Sequence, residues 1–319
     1  MSHLLAVQAQ DLRAARLALR ARSRDLTAGA VDEALTADRS LVVAWLGRGT
    51  LHLVHRDDYP WLLALTSPKR FRSNERRLQQ EGIGADDAAR AMAIVETALG
   101  DEGPLTREGL SAHLRCHGIT TTGQAMPHLL MRSCLLGISV LGPMTGAKQA
   151  FALTEDWLGR RPSSLPDSER AAMLARLARR YLDAHAPATP ADLAGWIGLP
   201  LRDARLGFES IAGSDHDPSR PWSVSPRLLP SFDPYLLGWK DRTFMVSDAH
   251  RKLVHPGGGV IKASIIHHGE VIGTWTHRKK GGRMTLELRP FAGLDDALAR
   301  ALDVDAEDVA RFEALALSR

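Results

Sequence analysis

The sequence has little cysteine, no long apolar run and none of the common catalytic signatures. Its two cysteines, Cys116 and Cys134, form no C-x-x-C pair, which argues against a disulfide framework or a zinc site and fits a reducing cytoplasm. No apolar stretch approaches the roughly 20 residues of a membrane span, and the start, Met1-Ser2-His3-Leu4-Leu5, lacks the charged and apolar regions of a secretion signal. There is no G-x-G-x-x-G after a strand, no P-loop, no G-x-S-x-G and no H-E-x-x-H, so nucleotide-binding, serine-hydrolase and zinc-protease chemistry have no foothold.

What is present is an ordinary globular composition over 319 residues, 44% apolar and 24% charged, enough for two or three domains with sizeable cores. The net charge of +4 is unevenly spread. Residues 1–80 hold 13 Lys/Arg against 8 Asp/Glu, whereas residues 295–319 hold 3 against 7. The basic set is mostly arginine, whose fork suits phosphate, although a solvated basic face accounts for it equally well.

Near the start, Gln8-Ala9-Gln10-Asp11 combines two amides with a helix cap. In an extended segment Gln8 and Gln10 point one way and Ala9 the other. Asp11 can cap a helix over about 12–22. Two amides held at a helix entrance can orient a water or one face of a ligand. A pair of polar surface residues is the plainer alternative.

Further along, Leu41–Leu46 and Thr50–Val54 read as strands joined at Gly47-Arg48-Gly49, a hairpin wing with Arg48 at its tip. Asp57-Asp58 opens a helix expected to stop at Ser67-Pro68. The basic cluster Lys69-Arg70-Phe71-Arg72, with Arg76-Arg77, reads equally as phosphate contact or as a solvated face. After a helix at about 85–99, the helix–helix–hairpin pattern recurs, with strands at Leu135–Leu141 and Gln149–Leu153. Beyond a Pro/Ser-rich linker at 161–166 comes a helix over about 167–184, then Thr189-Pro190-Ala191-Asp192, a strong helix start. From 227 the texture is β, with strands expected at 227–229, 243–246, 259–267, 270–277 and 284–289. Tight turns fall at His268-Gly269 and Gly281-Gly282, the second beside a basic tip, Arg278-Lys279-Lys280. An acidic amphipathic helix over 294–317 ends the chain, and its charge should keep it away from phosphate.

The fold class expected is α+β, mainly helical. Winged-helix (helix-turn-helix) units occupy 1–100, 101–160 and 161–226, and a small β-barrel with a C-terminal helix occupies 227–319. Other candidate sites carry plainer explanations. Gly257-Gly258-Gly259 suits a bulge or turn. His267 and His268 should face opposite sides of a strand, and His113 and His117 supply at best two ligands, so no metal site is expected. Trp45 and His52 suit packing.

Five stretches come in a recognisable order: Val7-Gln8-Ala9-Gln10-Asp11, the hairpin Ala44 to His52, Thr189 to Trp196, Leu228-Leu229-Pro230-Ser231-Phe232-Asp233 and Gly269 to Trp275. With them the chain resembles, over nearly its whole length, the AlkZ-like bacterial DNA glycosylases, also described as winged-helix DNA-binding-domain proteins. The resemblance implies a positively charged channel around duplex DNA and removal of N7-alkylated purines, with unhooking of interstrand crosslinks in some members. It implies that the family's Q-Φ-Q signature falls on Gln8-Ala9-Gln10, making Gln8 and Gln10 the catalytic pair, with Ala9 a smaller central residue than usual. Members usually carry a helical segment of roughly 25–30 residues ahead of the glutamines, which would pack against the active-site wall; here the motif starts at residue 7. DNA contacts are expected at Arg48, Lys240, Arg242, Arg278, Lys279 and Lys280. The expected partner is double-stranded DNA, bound by a cytoplasmic bacterial monomer that needs no cofactor, metal or membrane. A non-catalytic winged-helix DNA-binding protein is the main alternative, and a small-molecule sensor a lesser one.

Overall fold

Residues 6–8 are extended because a hairpin offers them an edge. In a computed structural model that describes residues 1, 3–146, 148–212 and 225–318, strand β1 (Ala6–Gln8) leads into α1 (Leu12–Arg20), α2 (Ala28–Thr36) and the hairpin β2 (Leu41–Leu46) and β3 (Thr50–His55). Then come α3 (Tyr59–Gln80), α4 (Ala85–Glu102), α5 (Arg107–Cys116), α6 (Ala125–Leu135), the hairpin β4 (Ser139–Thr145) and β5 (Lys148–Leu153), and α7 (Thr154–Leu158). Three helices follow: α8 (Asp167–His185), α9 (Pro190–Ile197) and α10 (Leu201–Glu209). The last part holds β6 (Arg227–Leu229), α11 (Pro234–Leu237), α12 (Arg251–Val254), β7 (Ser264–His267), β8 (Glu270–Lys280), β9 (Arg283–Pro290), α13 (Asp296–Phe312) and β10 (Ala316–Ser318). The end of the third expected unit, 213–224, lies outside the described residues.

The two hairpins, expected as wings of separate units, share one sheet in the order β1-β3-β2-β4-β5, joined where Val43 meets Leu141. The reason is the burial of β2. Leu41 to Ala44 are all buried, so the strand needs cover on both faces and partners on both edges. Val7, Val43 and Leu53 pack on one side with residues of α1, α4, α5 and α6. Ala6, Val42, Ala44 and Val54 pack on the other with Leu62 of α3 and with α8 and α9. Strand alternation puts Gln8 on the same side as Ala6, toward α9.

Pro68 does not end α3, which runs on to Gln80. A proline inside a helix costs about 3 kcal/mol, but Trp61, Leu62 and Leu65 before it and Asn74 and Leu78 after it are buried, and that burial outweighs the local penalty. The basic cluster therefore rides on a helix. Residues 243–246 are not a strand. Asp241 accepts from Thr243 N at 3.0 Å, and Met245 and Val246 N–H groups donate to Arg242 O, so the segment turns. Of 259–267 only Ser264–His267 pairs as a strand. His268 leaves it with φ 51°, which brings its ring within 4.0 Å of the His267 ring instead of across the sheet.

The second sheet, β10-β9-β8-β7-β6, is an open half-barrel where a small barrel was expected. Its edge strands are short, and α13 bridges them. Asp305 on α13 accepts from Leu228 N at 2.7 Å and from Arg20 Nη2 at 2.9 Å, which fastens α1 to the half-barrel. The last helix stops at Phe312. Ala314 takes φ 54°, and residues 316–318 return as a strand parallel to β9. Among the described residues no helix is long and apolar enough to cross a membrane.

Candidate active site

Each catalytic amide expected from the sequence is held by a donor from a different part of the same hairpin. Ala9 N donates to Leu51 O at 2.7 Å, carrying the β1–β3 pairing one residue past Gln8. Gln10 leaves the strand, and its side-chain Oε1 accepts from Leu51 N at 2.9 Å in place of a backbone carbonyl. Gln8 Oε1 accepts from Arg48 Nη2 at 3.2 Å. Gln8 is half-buried, Ala9 buried and Gln10 exposed; the strand ends at Gln8, so the bond to Leu51 N and not strand alternation places Gln10. Asp11 caps α1 by accepting from Arg13 N at 2.9 Å. These bonds fix which end of each amide faces the protein. An amide oxygen has two lone pairs, so each keeps one for water or a sugar cation.

Opposite Gln8 in the ladder stands His52, which is buried. Its Nδ1 lies 2.9 Å from Thr50 O, so Nδ1 carries the proton in the neutral ring. Burial pushes this imidazole down to about 4, with the nearby Arg48 charge adding to the effect. His52 is thus an uncharged packing residue beside the amides, as its strand position suggested.

The hairpin tip is clamped, not free. Gly47 and Gly49 take φ 53° and 84°. Arg70 Nε of α3 donates to Gly47 O at 2.6 Å. A Cβ at Gly47 would lie 2.7 Å from Ile197 O, and one at Gly198 would lie 2.9 Å from Arg48 Cγ. The Arg48 and Arg70 side chains meet beside Gly198, and Arg242 is near enough to feel the Arg48 charge. Burial lowers the pKa of Arg48, Arg70 and Arg242; Arg70 lowers Arg48 further, and Arg48 lowers Arg242 further. Of the DNA contacts expected from the sequence, Arg48 therefore reaches Gln8, and Arg242 lies within electrostatic reach of Arg48. Arg70 belongs to the basic cluster that the sequence offers equally as phosphate contact or solvated face, and the continuation of α3 past Pro68 brings it to the tip.

Lys240 is exposed, and its backbone N–H donates to Asp192 Oδ1 at 2.8 Å. Arg278, Lys279 and Lys280 sit apart on the β8–β9 hairpin, lining a surface hollow with Arg283. Lys279 is paired with Glu313 of the segment after α13 at 2.5 Å. The His277 imidazole on β8 is lowered first by burial and then by Lys279, and it also feels Asp11 and Arg13, so this strand passes near the start of α1. Among the described residues no group of three His, Cys, Asp or Glu is placed to hold a metal.

The family model described as DNA glycosylase AlkZ-like matches residues 1–312. A protein of Streptomyces sahachiroi described as an interstrand DNA cross-link repair glycosylase is 25% identical over 307 residues, covering 86% of this chain and 80% of that protein. The solved structure of the Streptomyces sahachiroi DNA glycosylase AlkZ superposes with a TM-score of 0.74 at 23% identity, covering 99% of this chain and 91% of the other. A family match over nearly the whole length, on a site of two oriented amides, identifies the enzyme class: the chain belongs to the AlkZ-like family of DNA glycosylases.

Proposed function

We propose that the protein hydrolyses the N-glycosidic bond of N7-alkylated purines in duplex DNA, with interstrand crosslinks among its substrates. The observation that carries this is the pair of amide oxygens, Gln8 and Gln10, each oriented by a protein donor, Arg48 Nη2 and Leu51 N. N7-alkylation places a positive charge on the purine, so the base departs without a strong general acid. As the N9–C1′ bond breaks, its electrons neutralise the purine and the sugar acquires cation character. The free lone pairs of Gln8 and Gln10 hold a water against C1′ and stabilise that charge. The water adds to C1′ and loses its proton to solvent. No lysine Schiff base is required. The crosslink part of the reading is supported by the description of the Streptomyces sahachiroi relative.

Arg48, Lys240, Arg242, Arg278, Lys279 and Lys280 are the proposed DNA contacts. On this reading the stretches 1–100, 101–160 and 161–226 are winged-helix units around the duplex, and 227–319 forms the opposing wall. The test is release of N7-methylguanine from a duplex, read as alkali-labile strand breaks, beside a crosslinked duplex. Wild-type protein should give breaks, and Gln8→Ala with Gln10→Ala should give background only. Breaks undiminished in the double variant, or none from wild type, would refute the reading.

A further inference from the structure

Arg48, which holds Gln8, and its neighbours Arg70 and Arg242 lack a counter-charge. Among the described residues neither Arg48, Arg70 nor Arg242 makes an ion pair. Arg242 Nε is buried without a partner. The carboxylates on adjoining elements are committed elsewhere. Asp192 accepts from Thr189 N and Lys240 N, both at 2.8 Å, and Asp241 accepts from Thr243 N at 3.0 Å. His255 brings no negative charge. Burial, Arg242 and Arg251 lower its pKa, and both ring nitrogens are buried without partners. Cations that have lost hydration and repel one another need an anion. The fork of arginine matches the oxygens of a phosphodiester.

We propose that Arg48, Arg70 and Arg242 form one seat for a DNA backbone phosphate, and that Arg48, through its bond to Gln8 Oε1, couples occupation of that seat to the orientation of the catalytic amide. The proposal rests on the glycosylase reading above and adds a mechanism to it. A guanidinium has five N–H donors in one plane. Arg48 spends Nη2 on Gln8, and its remaining donors are available to a phosphate. Arg70 spends Nε on Gly47 O, which pins the backbone that carries Arg48, and keeps its terminal nitrogens for the same anion. The close approach of Gly47 to Ile197 and of Gly198 to Arg48 keeps the tip from swinging. Correct docking of the strand therefore sets the Gln8 amide, and Arg48 acts as a positioning residue. Lysine cannot replace it, since a point charge on a flexible stem cannot bridge both groups in fixed geometry.

The experiment measures single-turnover release of N7-methylguanine with enzyme in excess, which separates the maximal rate from the half-saturating enzyme concentration, at several salt concentrations. Arg48→Lys should keep the wild-type salt slope but lower the maximal rate about tenfold or more, the loss expected from one charge-assisted hydrogen bond. Arg242→Gln should weaken half-saturation more than it lowers the maximal rate, and reduce the salt slope by about 0.9. Arg48→Gln, which has neither the charge nor the reach, should lose in both quantities, and it serves if the lysine variant does not fold. A wild-type maximal rate in Arg48→Lys or Arg48→Gln, or a wild-type salt slope in Arg242→Gln, overturns the coupled seat. Wild-type protein that releases no base overturns the glycosylase reading itself, an outcome distinct from active enzyme with an indifferent Arg48.

Discussion

Replacing Arg20 by methionine should be among the most damaging single changes away from the amides. Arg20 is 1% exposed at the end of α1. Its guanidinium donates to Asp305 Oδ2 at 2.9 Å, Asp305 O at 3.1 Å, Asp308 Oδ2 at 3.3 Å and Leu228 O at 3.3 Å, so one side chain ties α1 to α13 and β6. Desolvation already raises the Asp305 carboxyl above the usual carboxylate range with Arg20 in place. Arg20→Met leaves that carboxylate at 5% exposure without its main partner. Breaking a buried pair in this way costs about 3–5 kcal/mol, a large part of the roughly 5–15 kcal/mol that holds a domain folded. Asp305→Leu should cost a similar amount, because it leaves the arginine unpaired. The double variant should be much less harmed than the sum, since neither charge remains; the residual about 1–3 kcal/mol reflects Leu228 N and Leu228 O left without partners. Urea unfolding of the four proteins, followed by tryptophan fluorescence, gives the coupling energy. A loss below about 1 kcal/mol for Arg20→Met, or strict additivity in the double variant, would refute the argument.

Acidification should destabilise the fold through two histidines. Burial holds His52 and His185 at about 4 against an ordinary 6.5. The unfolded chain therefore binds more protons between those values, so this contribution is complete above 6.5 and is lost as pH falls toward 4, about 3 kcal/mol for each histidine. Urea midpoints measured from pH 7.5 down to 4.5 should fall, and midpoints that hold or rise would contradict it. Gly198→Ala should lower both stability and base release, since φ is 80° there and the new Cβ would lie 2.9 Å from Arg48 Cγ and 3.0 Å from Arg70 Nη2; the strain is about 1–2 kcal/mol. Gly195→Ala, with nothing within 4 Å of its Cβ, should melt no lower than wild type. Tyr181→Phe should cost about 1–3 kcal/mol by thermal melting, because the buried hydroxyl donates to Gly238 O at 2.5 Å.

Features carried by a few neighbouring residues were legible in the sequence. Asp11 caps α1 as its side chain predicts. Thr189 and Asp192 form the reciprocal capping box that their spacing announces. The two-residue turns at His268-Gly269 and Gly281-Gly282 fall where positive φ is tolerated. The strand period reaches only as far as Gln8, and the bond to Leu51 N places Gln10. Less of the site's surroundings could be read. Nothing near Pro68 says that Asn74 and Leu78 will be buried, yet their burial carries α3 onward and delivers Arg70 to the hairpin tip. Arg242 was expected to contact DNA, but a strand was expected over 243–246, where the Asp241 turn stands instead.

The division has a physical basis. Caps, tight turns and side-chain alternation are settled within a few residues by hydrogen bonds and sterics, so the amino-acid order alone determined the paired amides, the helix that starts beside them and the glycine-flanked Arg48. Edge pairing, helix continuation and charge clustering depend on surface supplied by segments far away in the chain. Only the tertiary structure decided that two hairpins share one sheet across Val43 and Leu141, and that the second sheet stays open under α13. It also decided that Arg48 from a turn and Arg70 from a helix come together beside Gly198, with Arg48 on Gln8 and neither in an ion pair among the described residues.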